Sequence, residues 1–213
     1  VKNFRSFAER IEWDLSHPSN YSFNTYAVKD GVIKNGIIYG PNGSGKSNFA
    51  LAIFDIEYHL SVKWKKADYL SNYVYIGNPN SPVEFEYVFK FGNDILEYRY
   101  SKNASGMLIA ESLVANNKQV FKRENDVFEI DDDQFRIDAT VKENFKQNVN
   151  SVSVINFLTA SFPFPQDHYI VKLVLFVNTM LWFKNLDSRE FIGLETSSFL
   201  FGCYFFLKNI SNA

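Results

Sequence analysis

The stretch "GIIYGPNGSGKSNF", from Gly36 to Phe49, decides how this chain is interpreted. Its central octet, Gly40 to Ser47, fits the spacing G-x-x-x-x-G-K-[ST] at every fixed position, which is the Walker A motif of phosphate-binding loops. The apolar run Ile37 to Tyr39 precedes the loop and is predicted to be a buried strand. The loop is followed by apolar residues at helical spacing, which are Phe49, Ile53, Ile56, Leu60 and Trp64. The stretch therefore predicts strand, glycine-rich loop and helix in succession.

The residue types in the loop suit a nucleotide triphosphate. Glycines let successive backbone N–H groups turn toward phosphate oxygens, and the positive end of the following helix attracts the same anion. Lys46 is expected to reach the β- and γ-phosphates, and the Ser47 hydroxyl is expected to bind the bridging magnesium ion. The motif thus predicts ATP and Mg²⁺ as ligands. The candidate binding residues are Gly40, Asn42, Gly43, Ser44, Gly45, Lys46, Ser47 and Asn48, with Ser47 as the metal ligand. An accidental glycine turn is the alternative, and the flanking pattern argues against it.

Composition excludes several classes of protein. The 213 residues are 46% hydrophobic, which is enough for a sizeable core, and they suffice for one domain or one and a half. The net charge of −2 gives no sign of a nucleic-acid surface or a membrane-binding patch, so a DNA partner would need a local basic face. The lone Cys203 excludes an intrachain disulfide, and the three histidines have no metal-ligand spacing with it.

No charged-then-apolar signal segment opens the chain. The longest apolar stretch, Ile170 to Phe183, has 14 residues and is interrupted by Lys172 and Asn178. It is too short to span a bilayer and predicts a buried helix instead. We therefore expect a soluble protein in a reducing, cytoplasmic setting without a membrane partner.

Strand and helix patterns organise the rest of the chain. Apolar residues spaced by polar neighbours predict strands within the first 40 residues, in Phe7 to Leu15 and in Tyr26 to Ile33. The helix after the loop is expected to fade near Tyr69, before a turn cluster at Gly77 to Pro82. A β-meander should follow, with strands at Val83–Phe91, Leu96–Tyr100, Met107–Val114, Gln119–Lys122 and Val127–Ile130.

The final third is predicted to be helical. From Asp138 onward the pattern changes, with Val152, Ile155 and Leu158 on one helix face and a second helix near His168 to Phe183. The acidic Glu129 to Asp133 predicts a solvated strand end better than a metal cluster, because no calcium-loop spacing fits.

Two quoted motifs together carry a resemblance to a known family. "VKNFRSF", from Val1 to Phe7, precedes the glycine-rich stretch, and a helix and an antiparallel meander follow. This arrangement resembles the N-terminal lobe of ABC-class ATPases of the chromosome-maintenance and recombination-repair type. Within them it is most similar to bacterial AAA-type ATP-binding proteins related to the overcoming-lysogenization-defect family, found in abortive-infection and other phage-defence systems. The resemblance covers roughly the first 190 residues, with the helical part weak.

The resemblance implies a fold of the α/β (α+β) class, a P-loop NTPase lobe of ABC type with an antiparallel β-meander and a helical extension. It implies a nucleotide-binding lobe over residues 1–135 and a mostly helical, incomplete segment over 136–213. It also places Asn3, Arg5 and Ser6 beside the nucleotide. Considered alone, Arg5 is one exposed basic residue on an edge strand.

The sequence lacks the motifs that carry out hydrolysis in this family. The nearest approach to a Walker B strand is "LAIFDIE", Leu51 to Glu57, which lies on the helix that leads away from the phosphates. No S-G-G-type signature occurs, and either Gln147 or Gln166 could be the lid-loop glutamine. Nucleotide kinases and GTPases fit less well, because strands precede the loop and the GTPase motifs are missing. The chain is therefore expected to be half an ATPase whose second lobe is absent, and its catalytic residues are unknown.

Three functions are consistent with the sequence. The first is an ATP-binding subunit or fragment that couples ATP binding and hydrolysis to a defence or DNA-related effector. The second is a non-hydrolysing switch or clamp, and the third is a truncated ATPase without independent activity. Because the family sandwiches ATP between subunits, a homo-oligomer or a complex with an effector protein is expected, with Asn42, Ser44 and Arg5 near the contact. The apolar stretch 199–213 is expected to be core that lacks its partner lobe.

Overall fold

The computed structural model describes residues 1–19, 25–60, 67–147, 152–183 and 191–193. The architecture is mixed α/β. The helices are α1 (Lys46–Leu60), α2 (Ala139–Gln147), α3 (Val154–Ser161) and α4 (Tyr169–Asn178). The strands are β1 (Val28–Lys29), β2 (Val32–Ile33), β3 (Val83–Phe91), β4 (Asp94–Lys102), β5 (Leu108–Ala115), β6 (Lys118–Glu124), β7 (Val127–Ile130), β8 (Leu181–Phe183) and β9 (Phe191–Gly193).

The predicted β-meander is confirmed. Strands β3 to β7 form a five-stranded antiparallel sheet in chain order. The connections explain this order, because Asn116–Asn117 and Asn125–Asp126 both have two consecutive positive φ angles. Such pairs form the tight turns whose twist matches antiparallel neighbours, and asparagine and aspartate tolerate that backbone better than most residues.

The sheet separates an apolar face from a charged one. Along β3, Val83 and Phe85 are buried whereas Glu84 is exposed, as the period-two pattern predicts. The buried face continues through Tyr98 and Leu113. Helices α2 and α3 join this core through ring contacts of Phe128 with Phe145 and of Phe145 with Phe157, each with centroids 4.9 Å apart.

The chain packs as two compact units. Unit 1 comprises Val1–Ile11 and Val62–Leu173, and contains the five-stranded sheet. Unit 2 comprises Glu12–Ser61 and Val174–Ala213, and contains α1. The division at residue 135 that the sequence suggests stays a prediction, because packing within one chain does not show which parts fold alone.

The predicted strands ahead of the loop form only in part. The run from Phe7 to Leu15 forms no named strand, and within residues 1–19 the pairing is limited to single bridges at Lys2, Phe4 and Phe7. Left-handed backbone at Asn3 (φ 56°) and Arg5 (φ 50°) interrupts an extended conformation there. The second run forms the short hairpin β1–β2.

The strand expected at Ile37 to Tyr39 is absent from the structure. These residues have no strand assignment, and the side chains of Ile37 and Tyr39 are 85% and 92% exposed. In the described ranges no parallel strand lies beside them to accept a backbone ladder, and every named pair is antiparallel. The P-loop NTPase fold is therefore not confirmed.

The helical prediction for the final third is confirmed at α2, α3 and α4, but its described residues also form the strands β8 and β9. Ile155 and Leu158 are fully buried on α3, while Val152 precedes that helix and is 48% exposed. The helix predicted from His168 to Phe183 is shorter than expected, because α4 ends at Asn178 and β8 follows. None of the helices in the described part is long and apolar enough to cross a membrane. Trp64, Cys203 and the apolar stretch 199–213 lie outside the described residues.

Candidate functional site

The glycine-rich loop is a tight turn that leads directly into α1. Gly43 and Gly45 have φ angles of 80° and 92°, a backbone conformation that glycine adopts without steric cost. The Ser44 N–H donates to the Pro41 carbonyl at 3.3 Å, and the Phe49 N–H donates to the Gly45 carbonyl at 2.8 Å. The helix begins at Lys46, so the motif glycines lie where the chain must turn.

The ammonium group of Lys46 is folded back across this loop. Its Nζ donates to the Gly40 carbonyl at 2.7 Å and to the Pro41 carbonyl at 2.9 Å. These two contacts hold a positive charge beside the loop backbone.

The loop is accessible and lies at the positive end of a helix. Asn42, Gly43, Ser44 and Ser47 are exposed, and Asn48 is half-buried. The first N–H groups of an α-helix have no acceptor within the helix, and the helix dipole adds partial positive charge there. Every residue that the motif singled out from Gly40 to Asn48 therefore lies in one short segment of unit 2.

Trp13 supports this segment, and the sequence analysis did not identify it. Its ring contacts the Phe49 ring edge-on, with centroids 5.3 Å apart. A Cβ added to Gly36 would lie 3.0 Å from the Trp13 ring, so a glycine at this position allows the tryptophan to approach. The signal available in the sequence was Gly36, a residue without a side chain just before the apolar run Ile37 to Tyr39. The Trp13 ring thus packs beside Gly36, which precedes the loop, and against Phe49, which follows it on α1.

The N-terminal residues predicted beside the nucleotide have contacts of their own in unit 1. Asn3 is buried, and its Nδ2 donates to the carbonyls of Asn78, Ser81 and Pro82 at 3.1, 2.8 and 3.2 Å.

Arg5 donates to the carbonyls of Tyr69 and Ser71 at 2.5 and 3.2 Å, and Ser6 is exposed. These contacts give Asn3 and Arg5 local roles within unit 1. Their nucleotide contacts stay a prediction.

The acidic residues on α1 are poorly placed for the magnesium ion. Asp55 and Glu57 are 0% and 1% exposed. They lie eight and ten residues beyond Ser47, which corresponds to about 12 and 15 Å along a helix axis. Burial raises the pKa of Glu57 to about 7. The interpretation that "LAIFDIE" is not a Walker B strand is consistent with this placement on the helix.

No cluster of three or more histidine, cysteine or acidic side chains in the described ranges has an arrangement that could hold a metal ion. In the acidic run Glu129 to Asp133, Asp131 forms an ion pair with Lys118 and Asp132 forms one with Lys142. This run therefore has ordinary salt-bridge partners at the end of β7. The lid glutamine remains undecided, since Gln166 is exposed in a turn and Gln147 ends α2.

A buried polar cluster in unit 1 also escaped sequence analysis. Arg123 and Glu111 form an ion pair at 3.0 Å, and both side chains are fully buried. The Glu111 carboxylate also accepts hydrogen bonds from Tyr98 Oη at 2.8 Å, Ser153 Oγ at 2.8 Å and the Val154 N–H at 2.9 Å. Burial lowers the pKa of Arg123, opposed by the nearby Glu111 charge. These contacts join β4, β5 and β6 to the start of α3.

Comparisons of the chain with models of protein families, with curated proteins and with solved structures found no match.

Proposed function

We propose that this protein binds ATP with magnesium through the loop Gly40–Ser47. The observation that carries the proposal is the placement of the Lys46 ammonium across the backbone of a loop with left-handed glycines, next to the exposed Ser47 at the start of α1. A positive charge, accessible N–H groups and a helix N-terminus in one segment form a suitable site for a polyphosphate.

Each residue in this segment has a defined role in the proposal. The backbone N–H groups of Gly43 and Gly45 donate to phosphate oxygens, and Lys46 moves from the loop carbonyls to the phosphates. The Ser47 hydroxyl provides a ligand for Mg²⁺. The bound magnesium ion neutralises phosphate charge. Asn42, Ser44 and Asn48 line the exposed side of the site.

The wider role that we propose follows the resemblance. The protein is an ATP-binding subunit of an ABC-like or AAA-type ATPase that acts with a defence or DNA-related effector in the cytoplasm. In this proposal, a second subunit or an effector protein covers the loop. The competing proposals are a switch that binds ATP without hydrolysing it and an ATPase fragment without its own activity.

Calorimetric titration of Mg-ATP into the purified chain tests the binding proposal. Removal of the ammonium in Lys46→Ala should weaken binding by about 1–3 kcal/mol, because a charged hydrogen-bond donor to phosphate is lost. Lys29→Ala is the matched control, since Lys29 is an exposed lysine of the same unit on β1. Its affinity should equal that of the unmodified chain.

Equal affinities of the Lys46→Ala and Lys29→Ala variants would contradict the proposed site. A phosphate-release assay on the same samples separates the functions. Turnover that Ser47→Ala abolishes favours an ATPase, whereas binding without turnover favours the switch. Failure of the folded, unmodified chain to bind Mg-ATP would contradict all nucleotide-dependent roles.

A further inference from the structure

Asn42 and Gly43 form an asparagine–glycine pair within the loop Gly40–Ser47. Both residues are exposed, and a Cβ added to Gly43 would meet no atom within 4 Å. Among the described residues, no backbone hydrogen bond of the loop uses the Gly43 N–H. The Gly43 nitrogen and the Asn42 side chain are therefore open to solvent and to each other.

An asparagine followed by glycine can react without an enzyme. When base removes the Gly43 N–H proton, the nitrogen can attack the side-chain carbonyl carbon of Asn42, because glycine has no side chain to obstruct ring closure. A new N–C bond closes a five-membered succinimide ring, the bond to the amide nitrogen breaks, and this nitrogen takes up a proton and leaves as ammonia. Water then opens the ring at either carbonyl. The net step exchanges the amide for a carboxylate, as aspartate or isoaspartate, with no oxidation or reduction.

The sequence contains one other asparagine–glycine pair, Asn35–Gly36, and it lies in the same unit. A Cβ added to Gly36 would lie 3.0 Å from the Trp13 ring, and Gly36 is half-buried. Ring closure requires the asparagine side chain and the next backbone nitrogen to rotate toward each other, and close packing opposes such movements. The same dipeptide is therefore restrained by Trp13 at Gly36 and unrestrained in the loop.

The modification would change the charge of the candidate nucleotide site. Lys46 Nζ donates to the carbonyls of Gly40 and Pro41 at 2.7 and 2.9 Å. Position 42 directly follows Pro41, so a carboxylate there competes with phosphate for the Lys46 ammonium group. It also repels the negative charge of the nucleotide.

Bound nucleotide would oppose the modification. In the proposed function, the Gly43 N–H donates to a phosphate oxygen. A nitrogen that donates to phosphate keeps its proton, so it cannot attack the Asn42 side chain. The empty loop therefore reacts, and the occupied loop is protected.

We propose that Asn42 is a site of spontaneous deamidation, and that its conversion to aspartate or isoaspartate weakens nucleotide binding at the loop. The modification site itself follows from the local structure, whereas its effect on nucleotide binding rests on the proposed function. The conversion marks those chains whose loop has remained empty and removes them from nucleotide binding.

Peptide mass spectrometry of the folded chain during incubation at pH 8 tests the modification site. Asn42 should convert several-fold faster than Asn35, because only the latter pair is restrained by packing. Saturating Mg-ATP should slow conversion at Asn42 and leave that at Asn35 unchanged. The same incubation in guanidinium chloride is the control, since unfolding removes the packing and the two pairs should then convert at similar rates.

Calorimetric titration of two variants with Mg-ATP tests the effect on the loop. Asn42→Asp and Asn42→Ser both remove the amide, but only the first adds a charge. Asn42→Asp should bind Mg-ATP roughly tenfold more weakly than Asn42→Ser, because its carboxylate repels the phosphates. Prolonged incubation at pH 8 should weaken binding by the unmodified chain in proportion to the converted fraction, whereas the affinity of Asn42→Ser should not change with time.

Equal conversion of Asn42 and Asn35 in the folded chain would overturn the modification site, and the proposed function would be unaffected. Equal affinities of Asn42→Asp and Asn42→Ser would overturn the effect on the loop. Preferential conversion of Asn42 in a folded chain that binds no Mg-ATP would contradict the proposed function, and with it the effect on nucleotide binding, while the modification site stands.

Discussion

The environment of Glu57 is unfavourable to its charge. Its side chain is 1% exposed, and its Oε2 atom is buried without a hydrogen-bond partner in the described part of the molecule. A buried carboxylate without compensation favours its neutral form, and burial accordingly raises its pKa from 4.5 to about 7. The folded state therefore binds this proton more tightly than the unfolded state.

This shift predicts a pH-dependent stability. Because the folded-state pKa lies above the unfolded value, the protein loses stability as pH rises from about 4.5 through 7. Glu57→Gln removes the titration and should raise the free energy of unfolding at pH 8 by on the order of 1–3 kcal/mol, with little change at pH 4.5. Urea unfolding at both pH values measures this effect.

Glu12→Gln is the control for this measurement, because Glu12 is an exposed glutamate of the same unit. It should leave the pH dependence unchanged. A Glu57→Gln variant that follows the pH profile of the unmodified chain would show that the pKa of Glu57 is the same in the folded and unfolded states.

At the scale of elements, the buried pair Glu111–Arg123 connects the sheet to α3. Glu111 on β5 accepts the Val154 N–H in the first turn of α3, and Arg123 on β6 donates to the Val152 carbonyl at 3.0 Å. Ser153 caps the same helix by accepting the Ile155 N–H. A negative charge at a helix N-terminus is favourable. The Glu111 carboxylate therefore pairs with Arg123 and also stabilises the start of α3.

Removal of one partner should therefore destabilise unit 1 strongly. Glu111→Gln keeps an acceptor for the helix but leaves the Arg123 charge buried and uncompensated, at an expected cost of about 3–5 kcal/mol. Glu97→Gln is the control, because Glu97 pairs with Arg99 at the surface. This change should cost at most about 1 kcal/mol. Chemical denaturation measures the free energy of unfolding of both variants. Similar losses in Glu111→Gln and Glu97→Gln would contradict the role assigned to the buried pair.

The elements that the sequence predicted correctly are those specified by neighbours in the chain. Alternation over Val83 to Phe91 predicts β3, and asparagine-rich turns place β5, β6 and β7 in order. The strand at Ile37 to Tyr39 was wrong because a strand needs a hydrogen-bonded neighbour, which an apolar tripeptide does not specify. The strand predicted at Phe7 to Leu15 was wrong because, in the described part of the chain, this run has no neighbouring strand and its pairing is limited to the single bridge between Phe7 and Phe4.

At the scale of the whole molecule, the sequence predicted only the part of the candidate site that is formed by neighbours in the chain. The loop residues Gly40 to Ser47 form one turn, so their spacing identifies them. Trp13 was not predictable, because its contacts join residues that lie 23 and 36 positions away in the chain. The buried carboxylate of Glu111 was missed for the same reason, since its partners come from three other segments.

The division into two units predicts where nucleotide binding acts. The loop and α1 belong to unit 2, whereas β3 to β7 belong to unit 1. A ligand that binds only the folded state stabilises it by about 2.7 kcal/mol at one hundred times its Kd. Phosphate would accept hydrogen bonds from amides between Gly43 and Asn48, so these amides should gain protection from exchange.

Hydrogen exchange with and without Mg-ATP should therefore show slower exchange at the loop and the first turn of α1, because their N–H groups become donors to phosphate. The amides of the central strands β4, β5 and β6 already donate within the sheet, and we expect exchange throughout β3 to β7 to be unchanged. Lys46→Ala should remove the effect at a nucleotide concentration that saturates the unmodified chain, while Lys29→Ala should keep it. Protection confined to β3 to β7 would place the nucleotide in unit 1 and contradict the loop as its site.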